Sequence, residues 1–227
     1  MKSGVRPARK RKRRNGALFT SAREDWCTPD PILDAIRRFN HGTIGLDPCS
    51  GPQSRVRALC SYALPQDGLS LPWDSLGLVF VNPPFGRKKG SPGVVRWVER
   101  ASTHGDETIL LVPARTEAGW WCDHVWQNAA AICWVRGRVR YRDGITGETP
   151  KGVSSTFPTA IVLFSTPARG RVFASALRHL GHVTRGPGRV ARQGALPGLC
   201  ACAAGHPVTV GSLCARCWHI IDERIAA

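Results

Sequence analysis

Leu76–Gly86 reads LGLVFVNPPFG, an apolar run that breaks at an amide, two prolines, an aromatic and a glycine. Leu78–Val81 lacks the polar alternation of a half-exposed strand, so it reads as a strand buried on both faces. The prolines fix two φ angles and hold the residue before them extended, which pins Asn82 at the strand end. The same grammar recurs along the chain. TIGLDPCSG gives a short strand, Thr43 to Leu46, that breaks into a turn; ETILLVPAR stops at Pro113; AAICWVRGRVRY and TAIVLFS give two more strands.

Helical patterns separate these runs. In WCTPDPILDAIRRFN, Thr28 is placed to cap a helix with Pro29 at its first position, and Ile32, Leu33, Ile36 and Phe39 follow at helical spacing. Ser91-Pro92 precedes Val94, Trp97, Val98 and Ala101 on one helical face. TEAGWWCDHVWQN is amphipathic, and a last helix is expected from about Arg169 to Leu180. Buried strands alternating with helices predict an α/β domain, doubly wound around a mostly parallel sheet.

The 227 residues carry 32 Lys+Arg against 16 Asp+Glu, which favours a polyanionic partner. Lys2, Arg6 and Arg9 to Arg14 stand in residues 1–23, read as a disordered basic arm, or else as a solubilising tail. No apolar run approaches the roughly 18 residues of a membrane span, and no signal-peptide core is present, so a cytoplasmic protein is expected. Of nine cysteines, Cys27, Cys49, Cys60, Cys122 and Cys133 are scattered, as suits a reducing compartment. The domain is expected over 24–183, a Gly/Pro/Arg-rich linker over 184–198, and a cysteine-rich tail over 199–227.

In an open α/β sheet, ligands bind beyond the carboxyl ends of the strands. DPCSG, NPPFG and PARTE all follow strands and are expected to meet in one cleft. The Asn82 side-chain oxygen and the Pro83 carbonyl can accept both hydrogens of an exocyclic amine, while Phe85 stacks on the ring that carries it. That describes a pocket for a flipped-out base. The alternative is a capped strand end with a loop proline pair.

Asn82-Pro83-Pro84-Phe85 is similar to the Asn/Asp-Pro-Pro-aromatic motif of amino methyltransferases that use S-adenosylmethionine. WCTP, LDPCSG, DGLSLPW, VFVNPPFG, LLVPARTEAGWW, RGRVRY and FPTAIVLF, in that order, resemble the phage-type Dam-like DNA N6-adenine methyltransferase family, over about residues 24–165. The resemblance implies a Rossmann-like methyltransferase acting on double-stranded DNA in a bacterial or phage-infected cell, with no obligatory protein partner. It assigns Asn82, Pro83, Pro84 and Phe85 to catalysis. WCTP, with Trp26, Thr28 and Pro29, and Asp47, Pro48 and Cys49 would line the methionine end of the cofactor, and Asp67 the adenosyl end. The chain departs from the family pattern in a short CSGPQS loop and in having no clear second strand before Asp67. The implied chemistry is direct in-line attack of N6 on the sulfonium methyl, promoted by positioning and electrostatics.

RGRVRYRDGITGETPKG offers Arg136, Arg138, Arg140, Arg142 and Lys151 for phosphate or base contacts; the alternative is a solvated hairpin. In the tail, Cys200-x-Cys202 and Cys214-x-x-Cys217 have the spacing of a zinc-knuckle-like site that binds structural Zn2+, against free thiols or a disulfide. Two other functions stay open. One is the same chemistry on cytosine N4, RNA adenine or a protein glutamine; the other is a catalytically inactive DNA-binding accessory protein.

Overall fold

The structure is a computed structural model that describes residues 26–73, 77–85, 93–152, 154–189, 208–210 and 213–214. The basic arm 1–23 and the Ser91-Pro92 cap lie outside them. In chain order the elements are β1 (Trp26–Cys27), α1 (Asp30–Phe39), β2 (Leu46–Ser50), β3 (Cys60–Ala63), β4 (Val79–Val81), α2 (Gly93–Thr103) and β5 (Thr108–Pro113). A π-helical turn, Trp121–Val125, then runs into α3 (Trp126–Asn128), followed by β6 (Ala131–Val135), β7 (Arg142–Asp143), β8 (Thr159–Phe164), α4 (Pro167–Leu177) and β9 (Gly181–Arg185). Two short strands, β10 (Val208–Val210) and β11 (Leu213–Cys214), pair with each other.

The central sheet has the order β3-β2-β4-β5-β8-β6-β9. β3, β2, β4 and β5 are mutually parallel, β8 runs antiparallel to both β5 and β6, and β9 runs antiparallel to β6. Five strands therefore share one direction, and the architecture is a mixed α/β sheet of the Rossmann-like kind. β5 explains the missing polar alternation. Ile109 and Leu111 enter a core with Leu33, Phe39, Phe173 and Leu177 of α1 and α4, while Leu110 and Val112 enter a second core with Trp97 and Val98 of α2 and with Trp121. Both faces are covered, so every position on the strand is buried.

Three details depart from expectation. β2 does not stop at Leu46 but continues through Asp47-Pro48-Cys49 to Ser50, and a register shift against β3 accommodates the proline. β3 supplies the second strand that the sequence pattern obscures: all four of its residues are only half-buried, so it lacks an apolar run. Within the expected helix over 116–128 the backbone widens to a π-turn at Trp121–Val125 before the α-turn Trp126–Asn128, and Trp121 packs between Trp126 and Trp134, with ring centroids 5.9 and 5.7 Å away.

β9 crosses the expected boundary at 183/184, and the chain stays attached beyond it. Gly186 and Gly188 donate backbone N–H groups to the carbonyls of Ala130 and Ala129, and Arg189 N–H reaches Ser165 O at 2.8 Å. The Arg189 guanidinium also donates to the carbonyls of His104, Asp106 (2.7 Å) and Phe164 (2.8 Å), tying the end of α2 to the end of β8. Arg189→Ala in the full chain is expected to lower the unfolding free energy by about 2 kcal/mol, since charged donors are lost from buried carbonyls. Denaturant titration with an unchanged m-value checks this, and a loss below about 0.5 kcal/mol would mean that the domain ends before residue 189.

Candidate active site

β2 is flanked by β3 on one side and by β4 on the other, so the sheet reverses its winding at β2. At such a switch point the loops diverge and leave a crevice at the carboxyl ends of the strands. Leu46 pairs with Val79. Asp47 and Cys49 on β2 therefore stand beside Asn82, which follows directly on β4, and the Asn82 backbone N–H faces the Cys49 sulfur.

Above these ends lies a two-stranded strap in which β1 pairs with β7, Trp26 opposite Asp143 and Cys27 opposite Arg142. Asn82 Nδ2 donates to the Trp26 carbonyl at 2.9 Å. Thr28 does not cap α1. Pro29 occupies the cap position and makes no side-chain bond, with a proline again in the first turn. The Thr28 hydroxyl is thereby released from helix duty.

Two buried oxygens in this region have no hydrogen-bond partner among the described residues, Thr28 Oγ1 and Asn82 Oδ1. Buried polar atoms are normally satisfied, so acceptors left open at a crevice are suited to a ligand's donors. Asp47 adds an unmet charge. It is only 2% exposed and accepts from Cys49 N–H at 3.2 Å and from the Ser54 hydroxyl at 3.3 Å. No basic side chain among the described residues neutralises it, and burial pushes its carboxyl from 3.8 up to about 6. A cationic ligand is what this carboxylate lacks. Asp47 and Thr28 Oγ1 fit the ammonium end of S-adenosylmethionine, and Asn82 Oδ1 fits a further amine donor. Cys49 is no nucleophile: desolvation and the Asp47 charge push its thiol well above the ordinary value.

Gly68 sets the far wall. A Cβ there would lie 1.7 Å from the Pro48 carbonyl oxygen, so only glycine lets the DGL turn press against β2. This brings Asp67 next to Pro48. The Asp67 side chain is exposed, and hydrogen bonds from Ser70 Oγ (2.5 Å) and Leu69 N–H (3.0 Å) hold its pKa below the usual value. On the near side Phe85 is half-buried, with Phe157 at 5.6 Å and Tyr141 at 6.2 Å, both edge to face. The FPTAIVLF motif contains Phe157, but nothing in the sequence spacing reveals that its ring meets Phe85.

The predicted phosphate-contacting side chains divide. Arg136, Arg138, Arg140 and Lys151 are exposed. Arg142 is not: it is 7% exposed, its guanidinium donates to the Gly147 carbonyl from Nε at 2.9 Å and again from a second nitrogen, and it lies 3.7 Å from Asp30. Arg142 thus differs from the other four in presenting no exposed charge, its guanidinium being turned to Gly147 and Asp30. Among the described residues no cluster of three or more His, Cys, Asp or Glu can hold a metal. Cys200, Cys202 and Cys217 lie outside those residues, and only the backbone of Cys214 is placed, opposite Val208 in the β10–β11 pair.

The Asp47 charge has a thermodynamic consequence. Its folded-state pKa is raised, so the native protein binds this proton more tightly than the unfolded chain does. The favourable contribution is full below about pH 4 and is lost as pH rises through about 6. The difference between 3.8 and about 6 corresponds to about 3 kcal/mol. Asp47→Asn is therefore expected to be more stable than the natural chain at pH 7.5, by up to about 3 kcal/mol, and nearly equal to it near pH 4. Thermal or denaturant unfolding at the two pH values checks the sign, and a destabilised variant at pH 7.5 would rule out the uncompensated charge.

No curated protein matches the chain. A family model described as DNA N-6-adenine-methyltransferase (Dam) matches residues 16–185, well over half of the 227, and includes the crevice, the strap and all seven strands of the sheet. The chain belongs to the Dam family of DNA N-6-adenine-methyltransferases.

Proposed function

We propose that this protein transfers the methyl group of S-adenosylmethionine to N6 of an adenine flipped out of double-stranded DNA. The observation that carries this reading is the buried Asn82 Oδ1, an acceptor without a donor among the described residues, at the sheet's switch point. Bound S-adenosylmethionine would supply an electrophilic methyl on a sulfonium. Asp47 would hold its ammonium, Thr28 Oγ1 a further donor, and Asp67 its adenosyl end, with Trp26, Pro29, Pro48 and Cys49 as lining.

The chain's own work is on the amine. Asn82 Oδ1 and the Pro83 carbonyl accept the two N6 hydrogens, which draws the nitrogen toward tetrahedral geometry and frees its lone pair from the ring. Pro84 keeps the turn stiff, and Phe85, steadied by Phe157 and Tyr141, stacks on the base. Because the acceptors are fixed before substrate arrives, little reorganisation is left for the reaction itself. Arg136, Arg138, Arg140 and Lys151 contact phosphates, joined by the basic arm 1–23, while Cys200, Cys202, Cys214 and Cys217 bind a structural Zn2+ in the tail.

Asn82→Ala is expected to lower methyl transfer at least about 100-fold, a loss of about 3 kcal/mol of transition-state stabilisation. Calorimetric affinity for S-adenosylmethionine should change less than about threefold in that variant. In the natural chain this affinity should be full well above pH 6 and fall as pH drops through about 6 and Asp47 takes up its proton. Mass spectrometry of nucleosides from treated DNA identifies the product. N4-methylcytosine in place of N6-methyladenine, or near-normal turnover by Asn82→Ala, would overturn the reading.

A further inference from the structure

An amide offers two ends that differ in chemistry, an oxygen that accepts and a nitrogen that donates. The role proposed for Asn82 requires the oxygen to face the target amine. Nothing in Asn-Pro-Pro-Phe dictates this, since a half-turn about the terminal torsion exchanges the two ends at little intrinsic cost. The environment must choose, and among the described residues the partner of the Asn82 side chain is the Trp26 carbonyl at 2.9 Å. A carbonyl only accepts, so the amide end that meets it must be Nδ2, and Oδ1 is turned away into the crevice.

We propose that the β1–β7 strap is the positioning device of this active site: the Trp26 carbonyl sets the orientation of the Asn82 amide, and Arg142 is the positioning residue that holds the strap. The inference rests on the functional reading above and deepens it. Two strands of two residues are too short to stay paired alone. Arg142 grips them from both sides. Its backbone faces Cys27 in β1, its guanidinium lies 3.7 Å from Asp30 in the first turn of α1, and it donates to Gly147 O at the end of the turn that follows β7. That turn is itself stiff. Asp143 Oδ1 accepts from the N–H groups of Ile145 and Thr146, Asp143 N–H donates to Glu148 O, and Gly147 sits at φ +73° against Gln53 of the 51–55 loop. The strap therefore links three segments that border the crevice, and its position is transmitted to Asn82 through one hydrogen bond.

The device distinguishes asparagine from aspartate at position 82. An ionised carboxylate has no donor for the Trp26 carbonyl and would set two oxygens against each other, whereas a protonated carboxyl restores a donor on one oxygen and leaves an acceptor on the other. The titratable or charged groups on the described elements around this position are Asp47 and Cys49 on β2, Cys27, Arg142 and Asp143 on the strap, Tyr141 before β7, and Asp30. Wild type measured in parallel, at saturating S-adenosylmethionine and DNA, corrects for their titration.

Asn82→Asp is expected to fall at least about 100-fold below wild type in kcat at pH 8. Its ratio to wild type should rise at least about tenfold by pH 6, as the new carboxyl takes up a proton. Near-equal activity at pH 8, or a loss that stays flat with pH, overturns the proposal. In Arg142→Gln, assayed below its unfolding transition, kcat should fall about tenfold while KM for S-adenosylmethionine stays within about threefold. An unchanged kcat in that folded variant also overturns it. If the wild-type chain transfers no methyl group, the functional reading fails instead. The strap is then judged by amide exchange at Cys27 and Asp143, which Arg142→Gln should accelerate and which, if unaltered, removes Arg142 from the role.

Discussion

A sheet covered on both faces leaves chemistry only its ends. In β4 and β5 every residue is buried, Ile109 and Leu111 toward α1 and α4, Leu110 and Val112 toward α2. A polar side chain on either face would be stranded in one of the two cores, at a desolvation penalty of several kcal/mol. Functional groups are therefore displaced to the positions just past each apolar run, and parallel neighbours bring those positions together. Asp47, Asn82 and the Pro113–Arg115 corner converge for this reason and need no contact with one another to do so.

The ends of the strands also carry the protein's unmet interactions. Among the described residues, Asp47, Thr28 Oγ1 and Asn82 Oδ1 are each buried without the partner that their chemistry calls for. Elsewhere the molecule satisfies comparable groups: Glu107 takes the Arg169 guanidinium at 2.7 Å and the Ser165 hydroxyl, and the Trp73 indole finds Gly68 O at 2.8 Å. Other buried atoms also lack a hydrogen-bond partner among the described residues, the indole nitrogens of Trp97 and Trp121 in the core beside α2 among them, but Asp47, Thr28 and Asn82 differ in standing at the strand ends and the strap above them.

Most of the architecture was legible because burial on both faces writes itself as uninterrupted apolar runs. The strands at Val79–Val81, Thr108–Pro113, Ala131–Val135 and Thr159–Phe164 and the helices around Ile32 and Trp97 all lie where periodicity places them. What escaped was structure held by partners distant in sequence. Cys60–Ala63 and Gly181–Arg185 lie at the two edges of the sheet and are half exposed, so they lack the apolar signature, and Arg185 belongs to the domain because Ala131 is opposite it. Asp47 reads as a loop residue because proline follows it, yet it pairs with Ser61 of β3, and the register shift falls only after it. Asn82-Pro83-Pro84-Phe85 was legible as a rigid presentation of an amide, since prolines act locally. Which end of that amide faces the crevice was not, because Trp26 decides it from 56 residues away.

The arginines of the RGRVRYRD segment show the same limit at the level of a single side chain. Arg136, Arg138, Arg140 and Arg142 alternate along one stretch and look equivalent as a source of positive charge. The fold separates them. Val139 and Tyr141 between them are buried, which turns Arg138 and Arg140 outward, but β7 begins at Arg142, and pairing with Cys27 draws that residue under the strap. There a guanidinium with five donors can satisfy the Gly147 carbonyl and approach Asp30 at once, which a lysine's single ammonium on a flexible stem does not reproduce. The same residue type thus serves two ends within seven positions: exposed charge suited to a polyanion, and an internal brace on the strap that carries the Trp26 carbonyl to Asn82.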